Sequence, residues 1–313
     1  MEHRRLGNSG LFVSEVGLGC NNFGGRIDEA GTRAVVHAAL DAGIDLFDTA
    51  DMYGGSLSEE FLGRALGGRR HDVILATKFG FAMGEGPHRK GASRRYIVSA
   101  LEASLSRLGT DYVDLYQIHF PDPHTPIDET LRALDDCVRD GKVRYVGCSN
   151  FASWQIADAH WTAARDRLNP FVSAQNLMSL LERDVLREVI PACEHFGLAM
   201  LPYFPLASGL LTGKYRRGEP APEGTRLGAP RAAGALSARN FDRAEALAAY
   251  AEERGRSLLE LAFGWLLSFP VVSSVIAGAT SADQVHANVA AATMRLDDAE
   301  MKEVLQRLEA VEA

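Results

Sequence analysis

Cysteine is scarce and poorly spaced for covalent or metal work. The 313 residues hold four, Cys20, Cys137, Cys148 and Cys193, with no C-x-x-C pair. That spacing argues against a disulfide framework and a structural zinc, and fits four reduced thiols in a cytoplasmic protein. No H-x-H or H-E-x-x-H spacing occurs, so metal hydrolysis is disfavoured and no metal is expected. The G-x-S-x-G elbow is absent as well, and no Ser or Cys nucleophile stands beside an evident base. There is no G-x-G-x-x-G, so any dinucleotide is bound without a Rossmann unit. Concentrated basic charge is also lacking. With 33 Lys+Arg against 41 Asp+Glu the net charge is −8, which speaks against a nucleic-acid partner. The N-terminal MEHRRLGNSGLF carries charge where a secretory leader needs an apolar centre. The one long uncharged run, residues 261–282, is broken by Pro270 and by Ser268, Ser273 and Ser274. It reads as a buried helix followed by a buried strand, not as a membrane span.

What is present is a steady alternation. Hydrophobic residues make up 46% of the chain, enough for a sizeable core and too many for disorder. Short β-branched runs at 14–21, 45–50, 73–79, 113–119, 145–150, 172–178, 199–205 and 272–278 are separated by amphipathic helical stretches. The first seven run ends follow one another at about 30 residues, the length of one strand and one crossover helix. Eight such units predict an α/β fold, a closed (β/α)8 barrel over a single domain 1–313. The helix predicted from Asp28 ends at Gly43, and another starts on an N-cap Ser93 and stops at Gly109. RRLGNSGLFV predicts a hairpin around Asn8-Ser9-Gly10 that plugs the N-terminal mouth. Two extra helices are expected after the last strand, from SADQVHANVAA and DDAEMKEVLQRLEAV. Residues 216–240, rich in Gly, Pro and Arg, have no apolar period and predict a mobile loop over the functional face.

Barrel chemistry sits at the C-terminal strand ends. Those ends carry Asp48, Lys78, His119, Ser149, Asn150, Gln175 and Tyr203, with Tyr53 just beyond the second strand. Ordinary strand ends are apolar or turn-forming, so this row of polar groups marks a site. Lys78 is one of only five lysines among 33 basic residues, and it follows the buried run VILAT. Asp48 is the anion that could keep it charged, and a structural ion pair at the rim is the plainer alternative. An ammonium beside Tyr53 is expected to lower the phenol's ordinary pKa near 10. His119 shares its strand face with Gln117. Together the four suit proton transfer at an oxygen while another group attacks the carbon. A second cluster, LASGLLTGKY (206–215), gathers Gly209, Gly213 and Lys214 into a phosphate-loop-like turn that is not a Walker A motif. Tyr203 offers a face for stacking a flat ring. Asn21, Asn22, Phe23, Phe81, Met83, Phe120, His124 and Met178 are expected to line or approach the substrate pocket.

The segments GIDLFDTADMYG, ATKFG, LGTDYVDLYQIH, GKVRYVGCSNF, PYFPLASGLLTGKY and IAGATSADQVHANVA resemble the aldo-keto reductases, along essentially the whole chain. The likeness is nearest to the bacterial branch that also includes the potassium-channel β-subunits. The 28 Arg, abundant Ala and 30 Gly fit a GC-rich bacterial genome. The resemblance implies an NADPH-dependent carbonyl reductase acting on a small aldehyde or ketone; from the hydrophobic pattern no membrane partner is expected. Tyr53 would give the proton, Lys78 and Asp48 would tune it, and His119 would orient the carbonyl. Ser149, Asn150 and Gln175 would hold the nicotinamide carboxamide, and Tyr203 would stack on its ring. Phe204, Pro205, Leu206, Ser208, Gly209 and Lys214 would meet the pyrophosphate. Gly278, Thr280, Gln284 and Asn288 would meet the adenosine end. Arg226 would fold over the nucleotide, and Gly19, Cys20 and Asn21 are further expected cofactor contacts.

Three departures stand out. Thr280 replaces a basic residue that pairs with the 2′-phosphate in many relatives, so NAD stays open beside NADP. Ala287 replaces a frequent Glu, and Phe204 replaces a common Ser. Two other readings stay open. One is a nicotinamide-binding sensor or regulatory subunit with little turnover; the other is a barrel aldolase using Lys78 as a Schiff-base nucleophile. The oligomeric state and the identity of the substrate are left open.

Overall fold

The computed structural model describes residues 1–228 and 236–312. Strands β1 (His3–Arg5) and β2 (Phe12–Ser14) pair antiparallel as the expected hairpin. Eight parallel strands follow. They are β3 (Val16–Gly19), β4 (Leu46–Asp48), β5 (Ile74–Phe79), β6 (Val113–Ile118), β7 (Val143–Ser149), β8 (Phe171–Gln175), β9 (Ala199–Met200) and β10 (Val275–Gly278). They lie side by side in chain order, with β10 beside β3. Single parallel bridges, Met200 to Val272 and Tyr203 to Ile276, complete the circle. The fold is the (β/α)8 barrel. Strand β9 is shorter than the run 199–205 predicts, because Pro202 and Pro205 have no N–H for the ladder.

The helices are α1 (Glu29–Asp41), α2 (Leu57–Leu66), α3 (Arg94–Leu108), α4 (Ile127–Arg139), α5 (Ser153–Asp166), α6 (Val189–Phe196), α7 (Ala238–Glu252), α8 (Leu258–Leu267), α9 (Ala282–Ala291) and α10 (Asp298–Glu312). Their ends follow local chemistry. Asp28 accepts from the Gly31 amide and Ser93 from the Tyr96 amide, while Gly109 closes α3 in the left-handed region. Ser257 and Glu260 form a capping box on α8, whose residues 261–267 are all buried. Among the described residues no helix is long and apolar enough to cross a membrane. Helices α9 and α10 are the two expected after the last strand.

The hairpin fills the bottom of the barrel. Leu6 and Val13 are fully buried against Leu46, Ala76, Leu115, Leu201 and Ile276 from the strands. Each such aliphatic side chain contributes about 1.5–3 kcal/mol. The approach is close: a Cβ on Gly7 would lie 2.4 Å from the Val172 carbonyl oxygen, and its φ is +55°. Part of the loop expected over 216–240 departs from expectation. Ser237 caps α7 by accepting from the Asn240 amide, so 238–240 are helical. Residues 229–235 of that loop lie outside the described residues.

Candidate active site

Parallel register places the polar groups at the mouth. Gly19 pairs with Asp48, Lys78 with Gln117, and Ser149 with Gln175. Beyond β4 the chain turns through Gly54, φ +58°, where a Cβ would lie 2.3 Å from the Phe23 carbonyl. Only glycine fits that approach, and the turn fixes the preceding Tyr53 over the barrel.

Asp48 is the hub. Its Oδ2 accepts from Lys78 Nζ at 2.5 Å, and its Oδ1 accepts from Gln117 Nε2 at 3.1 Å and from Gln175 Nε2 at 2.9 Å. Lys78 also donates to the Thr49 carbonyl at 2.9 Å. Its ammonium lies 5.2 Å from the centre of the Tyr53 ring. Burial alone would lower the Lys78 pKa, but Asp48 and Tyr53 together outweigh it and raise it above the ordinary lysine value. A Schiff base needs a neutral amine open to substrate. Lys78 is buried, paired and charged, so the aldolase reading fails.

Tyr53 departs from expectation. Burial, the largest influence, raises its pKa above the usual phenol value, and the pull of Lys78 only partly offsets this. The sequence points to the ammonium but not to the desolvation around the ring. His119 is pushed down to about 3, first by burial and then by Lys78. It is therefore neutral at pH 7. Its ring meets the Tyr53 ring edge-on at 5.8 Å and the Phe81 ring at 4.7 Å, and it stacks on Phe120.

A cavity of about 740 Å³ opens at this face. Apart from Lys78, which lies beneath the floor, every catalytic and cofactor-contact residue expected from the sequence lines it: Asp48, Tyr53, His119, Gly19, Cys20, Asn21, Ser149, Asn150, Gln175, Tyr203, Phe204, Pro205, Leu206, Ser208, Gly209, Lys214, Arg226, Gly278, Thr280, Gln284 and Asn288. Asn150 is held by three bonds. It donates to the His119 carbonyl and to Ser149 Oγ, each at 3.0 Å, and accepts from Tyr203 Oη at 2.7 Å. Phe204, Ala207 and Ser208 all have positive φ, as does Gly209, and Lys214 Nζ approaches Gly209 closely. The amides of Ala207 and Gly209 donate within the turn, to the Phe204 and Leu206 carbonyls at 2.9 and 2.8 Å, which holds it in this shape. Thr280 donates from its amide to Gln284 Oε1 at 2.9 Å. Arg226 reaches across the mouth to Asn21 and Asn22, at 3.0 and 2.7 Å.

The expected substrate lining is met in part. Asn21, Asn22, Phe81 and Phe120 face the cavity, joined by Met52. Phe23 and Met178 are fully buried in the core, Met83 packs against it, and His124 is exposed outside the lining. Their strands and loops turn these side chains away from the mouth. Sequence reasoning missed Arg26 and Glu223, which line the cavity from loops with no local signal. It also missed Asp51, buried near Tyr53 with both carboxylate oxygens unpartnered among the described residues. The acceptor that Gln117 finds in Asp48 was foreshadowed only by its period-two relation to His119.

A model of the aldo/keto reductase family matches residues 15–309. The chain belongs to that family. A relative in rice (Oryza sativa subsp. japonica), named as a probable voltage-gated potassium channel subunit beta, is 38% identical over 93% of this chain and 91% of its own. The versiconal hemiacetal acetate reductase of Aspergillus parasiticus is 34% identical over 96% and 95%. The L-glyceraldehyde 3-phosphate reductase of Escherichia coli strain K12 is 35% identical over 93% and 87%.

Proposed function

We propose that this protein reduces the carbonyl of an aldehyde or ketone with a nicotinamide dinucleotide, NADPH before NADH, and that Tyr53 gives the proton. One observation carries the reading: a buried Asp48–Lys78 pair beneath the Tyr53 ring, at the floor of a cavity that a neutral His119 also lines. Two of the relatives described above are named as reductases.

The residues present suit the nucleotide. The turn 204–209, with positive φ at Phe204, Ala207, Ser208 and Gly209, and Lys214 suit a pyrophosphate, and Ser149, Asn150 and Gln175 offer amide and hydroxyl groups for a carboxamide. Tyr203 gives an aromatic face, and Gly278, Thr280, Gln284 and Asn288 lie where an adenosine end would rest. Segment 216–228 acts as a strap, with Arg226 closing over the mouth. When bound, the nicotinamide supplies the hydride.

The chain's own groups handle the proton. Burial keeps Tyr53 protonated, ready to donate to a carbonyl oxygen. Lys78 stabilises the phenolate that remains, and Asp48 keeps Lys78 charged. His119 Nδ1 is buried without a partner among the described residues, which favours the ring proton on Nε2, from where it can donate a neutral hydrogen bond to the carbonyl.

The rice relative's name favours a second reading, a nucleotide-binding regulatory subunit with little turnover. One experiment separates the two: NADPH oxidation with an aromatic aldehyde, and NADPH binding, in the unaltered protein and in Tyr53→Phe. The reductase reading expects kcat to fall by about 10²–10⁴-fold in the variant with binding retained. Binding without oxidation in either protein favours the regulatory reading, and absence of binding removes both.

A further inference from the structure

The chain has three tryptophans, and Trp265 is fully buried. Trp154 and Trp161 instead stand on α5 with 67% and 63% of their surface exposed. Indoles are mostly buried in folded proteins, and those left at the surface are enriched in interfaces. These two lie seven residues apart, two helical turns, on the face opposite Ile156, Ala159 and Ala163, which pack into the core. Trp161 is held in orientation. Its ring meets His160 at 5.5 Å and Phe196, the last residue of α6, at 6.2 Å, both edge-on.

The same face carries its own complement. Ala157 follows Trp154 by three residues and Ala164 follows Trp161 by three, so the stripe reads Trp, Ala, Trp, Ala at spacings of three, four and three. That is the spacing of a helix–helix seam. A second copy of α5 running antiparallel about a twofold axis sets Trp154 level with Ala164, and Trp161 level with Ala157, in both directions. Each ring then enters the space above a small residue. Asp158 and Arg165 flank the seam on one side, and both are exposed. Among the described residues Asp158 has no ion pair, and Arg165 pairs with its neighbour Asp166. Helical side chains lean toward their own N-terminus, so reversing one helix brings each Asp158 toward the other copy's Arg165. The two indoles supply about 300 Å² per copy. With the two alanines, Arg165 and Phe196 the total over both copies comes to about 1,000 Å², where specific interfaces begin.

We infer that α5 is the docking surface for a second copy of this chain, an antiparallel α5–α5 pair in which Trp154 and Trp161 pack over Ala164 and Ala157 and Asp158 faces Arg165. A partner of another kind would require no such reciprocity within one helix. The inference is independent of the carbonyl-reductase reading, because no residue of α5 lines the cavity.

Sedimentation velocity of the full chain from about 1 to 200 μM tests it, on the unaltered protein, Trp161→Glu, Asp158→Arg, Arg165→Asp and the double exchange. These positions are exposed, so the variants are expected to fold, with unchanged unfolding midpoints as the check. The unaltered protein should pass from monomer to dimer with a Kd on the order of 10 μM, and its tryptophan emission should shift to the blue over the same range. Trp161→Glu should weaken the dimer at least about 100-fold, because symmetry counts each change twice. Each single charge exchange should weaken it at least about fivefold, and the double exchange should restore it to within about twofold. A monomer at every concentration overturns the inference and leaves the face to a different partner. A dimer that survives Trp161→Glu is formed elsewhere and overturns it as well. If the single exchanges lose nothing, or the double exchange does not restore their loss, the antiparallel pairing is wrong.

Discussion

Lys78 Nζ lies 2.5 Å from Asp48 Oδ2, and both side chains are buried, the lysine completely. With so little exposure, each charge depends chiefly on the other. Gln117 and Gln175 hold the remaining carboxylate oxygen and fix its direction.

Asp48→Asn leaves the Lys78 ammonium buried and uncompensated. Removing one partner of a buried pair costs about 3–5 kcal/mol. Urea unfolding should show a loss of that order, together with a fall in the Lys78 pKa and in carbonyl reduction. A loss below about 1 kcal/mol would mean that Lys78 finds its support elsewhere.

The state of His119 sets a pH expectation. With its pKa near 3, the imidazole is neutral from pH 5 upward. Histidine in water titrates near 6.5, and no limb of the rate profile there should belong to this ring. His119→Asn should therefore lower kcat/KM without changing the shape of the profile between pH 5 and 8. A limb near 6.5 that disappears in the variant would contradict the neutral ring.

Asp51 carries a stability signature. Its carboxyl is pushed up to about 7, by burial first and then by Glu59. In the unfolded chain it would ionise near 3.8. Between those values the folded state holds more protons than the unfolded state, so stability falls as pH rises through the window. Above pH 7 the penalty is fully present, on the order of a few kcal/mol. Asp51→Asn should remove that fall, so thermal unfolding at pH 8 should favour the variant more than at pH 5. An equal difference at both values would show that Asp51 is solvated as an ordinary carboxylate.

Asp48, Lys78 and His119 were legible because each ends a β-branched run, and parallel strands in a barrel end on one face. Chain periodicity alone therefore put them together, and caps such as Ser93 and Gly109 are set by neighbours a few residues away. The hairpin around Asn8 was visible for the same local reason, and Tyr53 stood out by its place just beyond the second strand. The sign of the Tyr53 pKa shift was not legible: the charge beside it can be named from the sequence, whereas desolvation sums every atom packed around the ring. Phe23 and Met178 look like pocket residues by position, yet their loops turn them into the core. The meeting of Arg26 with Arg226 on Asn22 joins segments 200 residues apart. Local pattern determines which face a strand residue takes. How two loops meet, and how much water is left between them, is decided only when the whole chain has packed.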